Sequence, residues 1–207
     1  APADPVAGRG MEVGFSSGPL PPLPRLADAA GRDPIMGLAD SLTVRPATLD
    51  DLDALTTFSA AMALETEQRT LDRTRLRLGT QAVLEQPERG RFYVADLRPE
   101  PPADRVTVGQ LLLTYEWSDW RNAQFWWIQS VYVHPDWRRK GIYRSMHGAI
   151  INLAQSQRGV CGVRLYVEGD NHIAKCVYER VGLSPSSYQV YESDFVLPTP
   201  HSARTNA

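Results

Sequence analysis

Cysteine is scarce: Cys161 and Cys176 are the only two in 207 residues, too few for a disulfide framework and without metal-ligand spacing. Long apolar runs are missing too, and none approaches the length of a membrane span. The N-terminus has no basic start followed by a hydrophobic stretch, so the pattern of a secretory signal is absent. Neither sign of charge is in excess. With 22 Lys+Arg against 24 Asp+Glu the formal net charge is -2, and no global field draws the chain to nucleic acid or an anionic membrane. The loops Gly-x-x-x-x-Gly-Lys-Ser/Thr and Gly-x-Gly-x-x-Gly are both lacking, which sets nucleotide binding aside. A reduced, cytoplasmic setting is the resulting expectation, with no metal, nucleic-acid or membrane partner.

What is present suits one globular domain, with hydrophobic residues at 43%. Residues 1–40 stand apart, since they hold 7 of the 16 prolines. Their Pro/Gly-rich composition predicts a flexible leader, and residues 199–207 read as a C-terminal tail. Between them, 41–198 read as the folded domain. Leu42–Arg45 reads as a short strand ended by Pro46, and Thr48 as an N-cap ahead of Asp50, Asp51 and Asp53. Leu52, Leu55, Phe58 and Met62 have helical spacing, and a second helix is expected over roughly 70–86. Residues 91–97 read as a strand and 98–104 as a hairpin loop. Residues 106–117 and 124–133 are rich in β-branched and aromatic side chains, as two long antiparallel strands are. A helix over 140–157, a strand over 163–167 and a helix over 171–181 follow. Residues 188–191 and 195–196 are placed to close the sheet as a hairpin. The order makes a mixed α/β domain, with the strands on either side of the 140–157 helix parallel and joined by a right-handed crossover.

One segment carries chemistry. The strand ending Val131, Tyr132, Val133, His134, Pro135 leads into a basic turn, Arg138, Arg139, Lys140 and Gly141, and then into the helix opened by Ile142, Tyr143 and Arg144. Free N–H groups and the positive dipole end at a helix start favour a bound phosphate. Gly141 allows close backbone approach, and the four basic side chains add charge at the same place. Alone, such a cluster is only a solvated basic helix start. It resembles, however, the acetyl-CoA loop of the GNAT superfamily of N-acetyltransferases, Arg/Gln-x-x-Gly-x-Gly/Ala after a Val-x-Pro strand end. Arg138 and Gly141 match, whereas Tyr143 replaces the last small residue and requires a ring path away from the phosphates. A second block, Asn171, Ala174, Tyr178, Gly182 and Leu183, resembles the family's Asn-x-x-Ala-x-x-x-Tyr-x-x-x-Gly-Phe. The resemblance spans roughly 42–197 and implies a single GNAT-like domain with a mixed, mostly antiparallel sheet, a central parallel strand pair and flanking helices.

The resemblance further implies acetyl-CoA as co-substrate, with no metal, and an amine acceptor, either a small molecule or a peptide. The amides of Val131–Val133 would polarise the thioester carbonyl and pair with the pantetheine arm. Tyr178 would protonate the departing thiolate, its ordinary alternative being a core-edge tyrosine. Asn171 would orient pantetheine or water, or cap a helix. Many relatives carry Glu where this chain has Gln129, which cannot take a proton. The base stays open among Glu65, Glu67, Glu116, Glu168 and Tyr132. Tyr115, Trp117, Trp120, Phe125, Trp126 and Trp127 crowd one hairpin, where they could pack the sheet, bury a homodimer contact or line an acceptor pocket with Glu65, Glu116 and Asp119. Alternation sends Trp126 and Trp127 to opposite faces. The missing carboxylate at Gln129 also leaves a rival reading, a non-catalytic acyl-CoA-binding module of the same fold.

Overall fold

The computed structural model describes residues 42–98 and 105–197; the leader, the far C-terminus and most of the 98–104 loop lie outside the described residues. β1 (Leu42–Pro46) is followed by α1 (Leu52–Glu67) and α2 (Arg73–Glu85). β2 (Arg91–Leu97), β3 (Val106–Ser118) and β4 (Ala123–Val133) come next, then α3 (Ile142–Ser156), β5 (Val160–Leu165) and α4 (His172–Arg180). The strands form one sheet in the order β1-β2-β3-β4-β5. Pairing is antiparallel from β1 through β4, and β4 pairs β5 in parallel around the α3 crossover.

Each sheet face has its own cover. Ile142, Met146, Ile150 and Leu153 recur on one stripe of α3, and they bury against Tyr93, Leu111, Leu113, Trp126 and Ile128. Fully burying one such aliphatic side chain is worth about 1.5–3 kcal/mol, so this stripe fixes the helix on the sheet. On the opposite face Leu55 of α1 meets Phe92 and Val94, with Val83 and Leu84 of α2 packed against them. The start of α1 is tied to the sheet by charge. Arg45 of β1 donates to Asp51 at 2.7 Å and to the buried Asp96 of β2 at 2.6 Å. Asp51 also accepts the Thr48 N–H at 2.8 Å, which satisfies a donor ahead of the helix.

Two expected elements differ. β5 starts at Val160, earlier than the apolar run suggests, because the Gln124 N–H bonds the Gly159 carbonyl at 2.7 Å and begins the parallel pairing there. It ends at Leu165, since Tyr166 leaves the sheet to stack on Trp127, ring centroids 4.2 Å apart. The expected closing hairpin over 188–191 and 195–196 does not form. Tyr191 and Phe195 are 91% and 93% exposed, so no apolar burial holds these residues on the sheet. The segment instead reaches the α1–α2 connection, where Arg69 donates to the Leu197 carbonyl at 3.3 Å.

Candidate active site

β4 outruns its parallel neighbour. The last β4–β5 pair is Ile128 with Leu165, whereas β4 continues to Val133 paired on one side only, with β3. The register shifts between Leu112, opposite Ser130, and Leu113, opposite Ile128, so Gln129 is the extra residue of a bulge where the two strands part. Beyond the bulge one edge of Val131–Val133 faces no strand among the described residues. Unpaired strand N–H and C=O groups can receive an extended, amide-bearing ligand as a half-strand.

The chain then turns into α3. Pro135–Trp137 form a single 3-10 turn, the backbone passes through positive φ at Arg139 (61°) and Gly141 (83°), and α3 begins. The first rung of α3 runs from the Ser145 N–H to the Gly141 carbonyl at 3.0 Å. The N–H groups of Ile142, Tyr143 and Arg144 therefore lie ahead of the ladder as free donors at the positive end of the helix. Gly141 takes its positive φ without strain, but Arg139 is a bulky residue in the left-handed region that the sequence did not flag. Lys140 lies over the Trp137 ring at 4.4 Å, and Arg139 and Arg144 are exposed.

Tyr143 resolves its departure from the small-residue pattern by pointing inward. Its ring lies 5.7 Å from Tyr178 of α4 and 5.8 Å from His147 one turn on in α3, so the turn mouth stays clear. Burial, and then the neighbouring Tyr178, push the Tyr143 hydroxyl well above the usual tyrosine range. Tyr178 is raised by burial as well, and the buried His147 is lowered by it. Both tyrosines thus keep their protons at neutral pH, and His147 is neutral. Asn171 caps α4, accepting the Ala174 N–H at 3.0 Å, which also sets where Ala174 and Tyr178 stand on that helix.

The face under α1 and α2 carries a second group. Tyr132 donates to Glu65 of α1 at 2.6 Å, and Arg138 donates to the other Glu65 oxygen at 2.5 Å and to the Val133 carbonyl at 2.9 Å. The Tyr132 hydroxyl, with burial opposing, and then Arg138 hold Glu65 below the usual carboxylate range. Burial and the Glu65 contact push Tyr132 up to about 12. Neither group is poised to take a proton in this arrangement. Further along the same face, Glu116 accepts from Arg164 at 2.7 Å and from the Trp127 indole N–H, and Arg164 lies 3.5 Å over the Phe125 ring. Thr114 donates to the exposed Gln129 at 3.3 Å on this face as well.

Among the residues singled out from the sequence, Glu65, Glu116 and Gln129 therefore share one face. Trp126 does not: it is 8% exposed in the core under α3 and meets Tyr115 edge-on. Trp117, 53% exposed, projects from the α3 face at the hairpin end. Trp127, next to Trp126 along β4, lies instead on the face of Glu65, Glu116 and Gln129. Arg164 is the residue that sequence reasoning missed, and its signal was a guanidinium inside an apolar strand. Among the described residues no three His, Cys, Asp or Glu are grouped to hold a metal ion, and no helix is long and apolar enough to cross a membrane.

Comparison with known proteins decides the family. Residues 57–183 match the model of the acetyltransferase (GNAT) family. The chain belongs to the GNAT family. A mycothiol acetyltransferase of Kocuria rhizophila is 29% identical over 123 residues, 52% of this chain and 40% of the relative, so the match spans less than half of that protein. A possible acetyltransferase of Clostridium difficile 630 is 38% identical, with a TM-score of 0.68 over 76% of this chain and 99% of the other. The aminoglycoside N-acetyltransferase AAC(6')-Iy, solved in complex with CoA, shares the fold at 12% identity and a TM-score of 0.59, over 74% of this GNAT chain and 95% of the other. GNAT acetyltransferases use acetyl-CoA as acetyl donor.

Proposed function

We propose that this chain is an N-acetyltransferase moving an acetyl group from acetyl-CoA to an amine by direct attack on the thioester. The observation that carries the reading is the parting of β4 and β5. It leaves the Val131–Val133 edge unpaired just ahead of the turn into α3, whose Tyr143 ring lies 5.7 Å from Tyr178 of α4. The pyrophosphate is assigned to the turn Arg138–Arg144 and to the free donors of Ile142, Tyr143 and Arg144. The pantetheine amides are assigned to the Val131–Val133 edge, beside Asn171 and Ala174. The bound thioester supplies an electrophilic carbonyl, and the β4 amides are aimed at its oxygen, where negative charge develops.

Tyr178 is assigned the proton donor to the leaving sulfur. Burial keeps its hydroxyl protonated at neutral pH, as an acid requires. The acceptor is assigned to the face carrying Glu65, Glu116, Gln129 and Trp127, where carboxylates and an indole suit a cationic amine. Most of the work is positioning: the bound ammonium gives up one proton to water or to a carboxylate, the neutral amine held against the thioester attacks, and the adduct loses a second N–H proton as the C–S bond breaks and the sulfur is protonated. Hydrogen exchange tests the placement. Bound CoA should protect the amides of 131–144, and protection confined to other segments would overturn the assignment.

A further inference from the structure

Arg138 differs from the other cations of its turn. Lys140 rests on an indole and Arg139 and Arg144 point into solvent, but Arg138 is held by a carboxylate from another element, Glu65 near the end of α1. Its guanidinium lies 5.3 Å from the Tyr132 ring and its Nε reaches the Val133 carbonyl, so the side chain folds back along β4 and not along the α3 donors. The same Glu65 receives the Tyr132 hydroxyl, from the middle of the unpaired β4 edge. One carboxylate therefore bridges the basic turn and the strand assigned to the thioester.

We propose that Glu65 is a latch on Arg138 which the cofactor's pyrophosphate opens, releasing the Glu65 carboxylate beside Tyr132 for the acceptor's ammonium. The inference rests on the assignment of the turn to pyrophosphate. The Glu65 and Arg138 side chains are 39% and 43% exposed, and an ion pair so wet is weak. The pyrophosphate brings two negative charges against the one on Glu65 and offers a bidentate face to the guanidinium, so the exchange runs toward the pyrophosphate. No bond is made or broken; one ion pair is traded for another. Losing Arg138 removes one of the two contacts that hold Glu65 as an occupied carboxylate, while the Tyr132 hydroxyl keeps it in place. Cofactor binding then raises the affinity for a cationic acceptor, and by reciprocity the acceptor raises the affinity for cofactor.

A double-mutant cycle read by calorimetry with CoA alone tests the latch. Glu65→Gln should bind CoA about two- to fivefold more tightly than the parent, the size of one exposed ion pair. Arg138→Gln should bind it more weakly. In the Arg138→Gln background the gain from Glu65→Gln should vanish, because no guanidinium is left to release. Melting curves on all four proteins confirm folding, since both residues are at the surface. An equal gain in both backgrounds means that Glu65 acts only as a distant negative charge and overturns the latch. Weaker binding by Glu65→Gln means that it positions Arg138 for phosphate, which overturns it equally. Unchanged CoA affinity in Arg138→Gln removes that side chain from the phosphate site, a failure of the assignment beneath the latch and distinguishable from the other two.

Discussion

At the scale of single residues, Tyr178 separates chemistry from packing. Tyr178→Phe keeps the ring against Tyr143 and removes only the hydroxyl. A thiolate leaving group has a pKa near 8.5 and departs partly unprotonated, so the expected loss in kcat is on the order of ten- to a thousandfold, without abolition. CoA affinity should hold and the alkaline limb of the pH–rate profile should shift. A folded variant with full turnover, measured where chemistry limits the rate, would take Tyr178 out of the mechanism. The two motif blocks were legible as residues because their spacing is local: Arg138 to Gly141, and Asn171 to Ala174 to Tyr178. The partners of Glu65 were not. They lie 67 and 73 positions away, and only the fold brings α1 against β4 and the turn.

Elements were legible where one period ran long enough to be read. The α3 stripe and the aromatic pair β3–β4 have long patterns, broken only by the bulge at Gln129, and their bounds agree with the sequence to within a residue or two. β5 was misplaced because its start is set by a backbone bond to Gly159 and its end by a ring stack, neither of which leaves a hydropathy signal. The tail after α4 carried strand-like residues, but burial decides strands and these residues lack it. The turn into α3 is the element whose backbone is most sensitive. At Gly141, φ is 83°, where a Cβ costs about 1–2 kcal/mol. Gly141→Asp adds that strain and a negative charge beside the assigned phosphates. Its CoA affinity should fall by on the order of ten- to a hundredfold in calorimetry. Gly141→Asn puts the same Cβ in the left-handed backbone but carries no charge, so it should retain more of the binding. Equal losses in both variants would point to backbone shape alone, and no loss in either would remove the turn from the cofactor site.

At the scale of the whole molecule, stability should depend on pH through His147. Burial lowers its pKa, so the folded chain binds no proton where the unfolded chain does, from about pH 6.5 downward to the folded value. Unfolding therefore takes up a proton in that window, and stability falls as the pH drops through it. Melting temperatures from pH 8 to pH 5 should decline, and His147→Phe should flatten the decline. A parent protein whose melting temperature is level across this range would contradict the assignment.

The strand order of the sheet equals the order of the strands along the chain. During synthesis each strand from β2 onward thus leaves the ribosome after a partner already made, and only β1 waits for one still to be translated. The β2–β3 and β3–β4 pairs close short connections, which favour fast pairing, whereas β1–β2 and β4–β5 close around helices. The parallel strand β5 and the helix bearing Tyr178 emerge after the other four strands. A nascent chain halted after α3 can hold four paired strands and the basic turn, yet it lacks one wall of the cleft. If the cofactor takes the site proposed above, competence to bind it follows the pairing of the first four strands.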